Sequence, residues 1–400
     1  MLQNYKIAII SFGHEGSSIP LANAIASKGV FVDYYLIAKN GVIKNVEGVD
    51  SVSIRVRRKE GTVPENSFPM LSLYLKESSV SLKYVNTFSE FKSVPVLRRI
   101  MPLLRRQQIK KICWRLNKYD YDKVILVGRY KETDDIIDYC QNLICGYKIV
   151  SLHEVCNHIS PTYNQPSRLL KFLFNQKIHI NVFSNNSYND ILNYEQADKD
   201  FLSCIPFGTF DTFKYLKNKK IEGLPDDYIL FYGMISPYKG LNVLVDAIKH
   251  SSSLREMKTV IAGSGYDASL DSIKNDKSFF IINRYLANDE IATLIRHARV
   301  VVCPYLSMSQ SGITQTTFAF GTPIVATALQ GFNEVIEDGV NGLLVPPEDA
   351  VQLARAIEKV YSDRSLYSII KKGAEDFAIH FPKYNWSAIA DAYLSSFNNE

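Results

Sequence analysis

Short β-branched runs alternate with helical segments along this chain, and the alternation begins a second time after residue 205. Strands separated by helices cannot close tight hairpins. They lie parallel, and each crossover lays a helix on a sheet face. Residues 5–11 (YKIAIIS) have the composition of a strand buried on both faces. A loop at 12–18 (FGHEGSS) follows; Pro20 then suits a first helical turn, and Gly29 marks the stop. Further strands are predicted at 31–37, 123–127, 148–152 and 180–183. A polar stretch at 214–227 has the look of a surface connection. Beyond it come predicted strands at 228–232, 259–262, 279–282, 300–303, 324–327 and 342–345, and helices at 241–249 and 289–298. The chain therefore reads as α/β with two parallel-sheet domains, their boundary near 205–225.

Its 400 residues suit two domains. A net charge of +5 supplies no basic stripe of the kind that nucleic acid demands, so no nucleic-acid partner is expected. Cysteines 113, 140, 145, 156, 204 and 303 show no CxxC pair and no metal spacing, and read as buried thiols in a reducing compartment. The opening MLQNYKIAIISFG reads as a strand, not a signal peptide, and no run of about twenty apolar residues occurs. The expectation is a cytoplasmic protein. One segment breaks the charge balance: no acid occurs between Glu90 and Asp120, where Arg98, Arg99, Arg105, Arg106, Lys110 and Lys111 interleave with Ile100, Leu103, Leu104 and Trp114. Such a segment suits a helix lying on an anionic membrane surface, here the inner face of the cell membrane. It equally suits a helix packed on its own domain with a solvated basic face, interrupted at Pro102.

Two βα turns carry anion-binding chemistry. In GMISPYKG (233–240) a strand ends at Gly233, and Lys239-Gly240 opens a helix. A lysine there reaches phosphate as a point charge, or is a surface residue on an ordinary loop. In MSQSGIT (308–314), Ser311-Gly312 opens an amphipathic helix whose free N–H groups favour an anion. In IAGSGY (261–266), Gly263 and Gly265 follow a strand and let a ligand, or a plain turn, come close. No GxGxxG occurs, so a nicotinamide cofactor is not expected.

Lys239-Gly240, the AGSG turn, the Ser311-Gly312 helix start, AFGTPIVAT (319–327 with its Gly-Thr-Pro break) and GVNGLLVPPED together resemble glycosyltransferase family 4, in a PYKG-type subgroup. The resemblance is strong over 228–365 and weaker over 1–205. It implies a GT-B fold, two Rossmann-like domains with parallel sheets facing across a cleft. Residues 1–210 would bind acceptor and 211–380 the nucleotide sugar, with 381–400 a helix crossing back to the N-terminal domain. The implied reaction is retaining transfer from a nucleotide diphosphate sugar to a glycan or lipid-linked acceptor, as in bacterial surface polysaccharide assembly. No metal or other cofactor is implied.

Residue by residue, the resemblance puts Lys239 and Gly240 on the donor diphosphate and Gly263, Ser264 and Gly265 near the nucleoside. Gln310, Ser311, Gly312 and Ile313 would cradle the distal phosphate through backbone N–H groups. Gly13 stands in the family's first loop, where acceptor meets donor; His14 and Glu15 beside it suit that role or plain solvent exposure. His153 and Glu154 resemble the family's His-Asp motif and would face the reacting sugar. Glu334 resembles a position at a helix start. The chain departs from the pattern at Met234 and Ser236, where arginines are common, and at Met308 and Thr316, where two glutamates touch sugar and ribose. These departures leave open a glycosyltransferase-like scaffold that has lost catalysis, and more remotely a nucleotide-sugar epimerase.

Overall fold

The structure, a computed structural model, describes residues 5–38, 74–75, 79–86, 95–129, 132–153, 168–194, 196–308 and 312–395. It divides into two compact units. One comprises 1–207 with 386–400, the other 208–385.

The first unit holds a seven-stranded sheet: β1 (Lys6–Ser11), β2 (Phe31–Ala38), β3 (Val80–Asn86), β4 (Lys123–Gly128), β5 (Tyr147–Leu152), β6 (His179–Val182) and β7 (Leu202–Cys204). Their order is β3-β2-β1-β4-β5-β6-β7, and every pair is parallel. Ile7, Ala8, Ile9 and Ile10 are fully buried, as a strand covered by helices on both faces requires.

The second unit repeats the plan with β8 (Tyr228–Tyr232), β9 (Thr259–Gly263), β10 (Phe279–Asn283), β11 (Ala298–Cys303), β12 (Ile324–Thr327) and β13 (Gly342–Val345). The order is β10-β9-β8-β11-β12-β13, again all parallel. Successive side chains of β8 serve opposite cores: Ile229 and Phe231 one, Tyr228, Leu230 and Tyr232 the other. Each sheet has the doubly wound order, which runs outward from its first strand and then reverses. The reversal opens a crevice beyond the carboxyl ends of β1 and β4 in one unit and of β8 and β11 in the other.

The terminal Trp386–Ser395 helix belongs to the first unit and packs on the Glu15–Ala26 helix. Tyr393 is buried, its hydroxyl 2.8 Å from Ser151 Oγ and accepting from Asn181 Nδ2 at 2.9 Å. Lys123 Nζ caps this helix by donating to the carbonyls of Tyr393 and Leu394.

Several expectations change. The helix near Pro20 begins earlier, at Glu15, because the N–H groups of Ser17 and Ser18 close its first turn onto the His14 carbonyl. Pro102 does not interrupt Pro95–Leu116; one lost backbone bond is outweighed by the rest of a 22-residue helix. Gly312–Ala319 is not amphipathic, since Thr314 through Ala319 are all buried. Glu334 stands at the end of the Gln330–Asn333 helix, not at a helix start. The strands β3 and β7 were not predicted. No helix among the described residues is long and apolar enough to cross a membrane.

Candidate functional site

In the second unit the crevice is built from the turn after β8 and the turn after β11. The two are tied directly: the Leu306 N–H donates to the Tyr238 carbonyl at 2.8 Å. Lys239, expected as a reaching loop lysine, is 7% exposed. Its Nζ donates to the Tyr305 hydroxyl at 2.6 Å and lies 4.3 Å from the centre of that ring. No carboxylate pairs with Lys239 among the described residues. Burial holds its ammonium down to about 8 from an ordinary 10.5. An ammonium removed from water without a counter-charge is costly, which is the signature of a group awaiting an anion.

Beside it, the Tyr232 hydroxyl donates to the Ile313 carbonyl at 3.1 Å and sits 3.1 Å from Thr317 Oγ1. This pins the first turn of the Gly312–Ala319 helix to β8. Gly312 and Ile313 thus form a helix start at the crevice, where the positive end of the helix favours an anion. The Thr316 hydroxyl is spent on its own helix, donating to the Gly312 carbonyl at 2.8 Å. Met308 packs against the core.

What approaches Gly263 and Gly265 is the chain's own backbone. A Cβ on Gly263 would lie 1.7 Å from the Gly233 carbonyl oxygen, and one on Gly265 would lie 2.0 Å from that of Ile235. The Ile235 N–H donates to the Ser264 carbonyl, and the Tyr266 N–H to the Ile235 carbonyl. The AGSG turn is therefore clasped to the GMIS turn, leaving Ser264, Gly265 and Tyr266 at the surface.

In the first unit Gly13 follows β1, and His153 follows β5 with its N–H on the Gly128 carbonyl. The rings of His14 and His153 stack 3.6 Å apart with 8° between planes. His153 Nε2 lies 3.1 Å from Ser17 Oγ, and its ring also meets Phe183 and Phe207. Burial, with Arg129 near, pushes His14 down to about 3. Burial, the stacked His14 and Arg129 push His153 well below the usual imidazole range. Both rings are neutral at physiological pH. The Glu15 carboxyl is pushed up to about 7 by burial, against the opposing pull of Arg129. His14 Nε2 and Glu15 Oε1 are buried with no hydrogen-bond partner among the described residues. Sequence reasoning brought His14 and Glu15 to this loop but had no signal for the imidazole stack. It missed Tyr305 altogether, since no spacing links 239 to 305.

Glu154, Gln310 and Ser311 lie outside the described residues, as do the side chains of Arg98 and Arg99. On the Pro95–Leu116 helix, Arg105 pairs with Asp135, and Arg106 with Asp138 at 3.3 Å. Lys110 and Lys111 are exposed, as are Ile100, Leu103, Leu104 and Trp114.

Residues 226–363 match the family described as "Glycosyl transferases group 1". A D-inositol 3-phosphate glycosyltransferase of Stackebrandtia nassauensis is 28% identical over 226 residues, covering 51% of this chain and 50% of the relative. One of Salinispora arenicola is 30% identical over 175 residues, covering 40% and 39%. The chain spans about half the length of the curated relatives it matches. Among solved structures, a sucrose-phosphate synthase of Thermosynechococcus elongatus superposes with a TM-score of 0.64 at 15% identity, over 98% of this chain and 97% of that one. Anabaena Alr3699/HepE in complex with UDP and glucose gives 0.63 at 15% identity, over 99% and 100%. At such identities the likeness shows the fold.

Proposed function

We propose that this chain, a glycosyltransferase family 4-like protein of GT-B fold, transfers a sugar from a nucleoside diphosphate sugar to a glycan or lipid-linked acceptor. The observation that carries this is Lys239, a buried ammonium with no carboxylate partner among the described residues, set at the β8/β11 switch point beside a helix start. A diphosphate there meets the lysine charge and the N–H groups of Gly312 and Ile313. Together they stabilise the leaving diphosphate as the glycosidic bond breaks, the part that a divalent cation plays elsewhere. Transfer with retention at the anomeric carbon, without a metal, follows the family pattern. So does the division of labour, with donor on the second unit and acceptor on the first. Bound UDP in the Anabaena neighbour supports the donor class. A thermal-shift screen of UDP-, GDP-, ADP- and CMP-sugars tests it: a donor at a hundred times its Kd adds about 2.7 kcal/mol. No shift with any of them refutes the proposal.

Thr316 and Met308 favour one second reading. With the Thr316 hydroxyl turned back on its helix and Met308 packed inward, neither supplies the carboxylate of the family pattern. A donor-binding scaffold without catalysis fits that arrangement. Hydrolysis of the donor in the absence of acceptor separates the two, because a scaffold binds and does not hydrolyse.

His153 acts on the transferred sugar as a neutral imidazole. His153→Ala is expected to lower kcat with little change in donor KM, the pattern of an interaction made mainly in the transition state. Between pH 5.5 and 8 the wild-type profile should carry no imidazole ionisation, because both stacked rings titrate below that window. Wild-type kcat in the mutant would leave His153 a packing residue.

The Pro95–Leu116 helix presents the acceptor side to an anionic membrane. Two of its arginines are neutralised within the unit, so the salt-sensitive attraction rests on Lys110 and Lys111 beside the exposed apolar residues. Co-sedimentation with anionic vesicles should fall steeply with salt, as expected for a screening length of about 8 Å at physiological strength. Lys110→Glu with Lys111→Glu should remove most of it. Equal binding to neutral and anionic vesicles would make this a solvated face.

A further inference from the structure

We propose that Tyr305 is a positioning residue for the donor diphosphate, acting through Lys239. The inference rests on the functional reading above and adds a residue to it. Tyr305 is 2% exposed and anchored on every side. Its carbonyl accepts from Thr327 Oγ1 at 2.7 Å. Its ring meets Phe332 at 5.2 Å and Tyr238 at 6.2 Å, both edge-on. Its hydroxyl accepts from Lys239 Nζ, and the same hydroxyl lies near the buried Cys303 thiol, whose rise on burial it opposes. A phenolic oxygen accepts as well as donates, and here it accepts from the ammonium.

A lysine has a long flexible stem, and fixing it costs rotamer entropy at the moment of binding. A rigid acceptor at the end of that stem removes the cost beforehand. Tyr305 is neutral, so it orders Lys239 without cancelling the charge that the diphosphate needs, as a carboxylate in its place would. The titratable groups facing Lys239 are Tyr238 from its own turn and Tyr305 and Cys303 from β11 and the turn after it. None of these is a carboxylate, and burial pushes the Cys303 thiol up to about 12. Ammonium-to-phosphate attraction is therefore set by Lys239 itself. Its lowered range makes donor affinity fall as pH rises past about 8.

The test is calorimetric titration of UDP and GDP into wild type, Tyr305→Phe, Lys239→Ala and the double variant, across pH. Tyr305→Phe keeps the ring and removes the acceptor. Affinity should drop about tenfold, the scale of one hydrogen bond to a charged group. The pH at which affinity falls should move down by about one unit, because the ammonium has lost its acceptor. In the Lys239→Ala background the same change should do nothing further, which a purely structural role would not produce. Tyr305→His, with an acceptor nitrogen on a ring, should recover part of the loss and serves if the phenylalanine variant misfolds. Wild-type affinity and pH profile in Tyr305→Phe, with Lys239→Ala impaired, would overturn the inference and leave the functional reading standing. Unchanged binding in Lys239→Ala would overturn both.

Discussion

Lys239→Ala is expected to weaken binding of the nucleoside diphosphate, and of its sugar conjugate equally, by about 1.5–3 kcal/mol. The equality follows from the proposed role, in which the lysine meets the diphosphate that both ligands share. The fold should not suffer. Lys239 is buried, and its ordinary range of 10.5 is held down to about 8. Between those values the unfolded chain binds the proton and the folded chain does not, so stability rises with pH there. Below about 8 both states carry the charge, and the folded state bears the full cost of burying it. Removing the side chain relieves that cost, so the apo-protein should unfold at an equal or higher temperature at pH 7. Calorimetry showing unchanged diphosphate affinity would refute the assignment. A marked fall in unfolding temperature would show that the ammonium is satisfied in the free protein, against the reading of a group awaiting an anion.

The parallel α/β character and the second start of the pattern were legible because a strand buried on both faces leaves an unmistakable run, as in the four apolar residues of 300–303 or the core of 6–11. The strands β3 and β7 were not. The middle of β3 reads SLKYV, with a lysine that reaches Asp33, and β7 is three residues long, too short for any periodicity. Lys239, Gly240 and His153 were singled out because ligands of open parallel sheets bind at the carboxyl ends of strands, and those ends could be read. Their surroundings could not. Lys239 is buried with its Nζ on Tyr305, and His153 is held neutral by burial with His14 stacked on it; both pairings are made by sheet order rather than by local sequence. The glycines of the AGSG turn show the same limit. A sequence announces that something comes close to them, and only the fold shows that it is the neighbouring backbone turn.

Gly240→Ala should be among the most damaging single-methyl changes in the second unit's crevice. Gly240 sits at φ +66°, between the Pro237–Lys239 turn and the Leu241–His250 helix. A left-handed residue with a Cβ costs about 1–2 kcal/mol on its own. Here the added carbon would also lie 1.9 Å from the Pro304 carbonyl oxygen. That oxygen belongs to backbone immediately before Tyr305, so no side chain can swing away to make room. The two turns must part, and they are the turns that carry Lys239 and its acceptor. The expected outcome is a loss of about 2–4 kcal/mol in stability, with donor binding reduced at least as far as in Lys239→Ala. Gly339→Ala provides the control: Gly339 has φ +76°, but its added carbon would meet nothing within 4 Å. It should show the conformational cost alone, with donor affinity intact. Denaturant melts and UDP or GDP titrations on the two variants separate clash from strain. Equal destabilisation of both, with binding preserved in Gly240→Ala, would mean that the two turns can part without disturbing the lysine, and that close contact between them does not build the site.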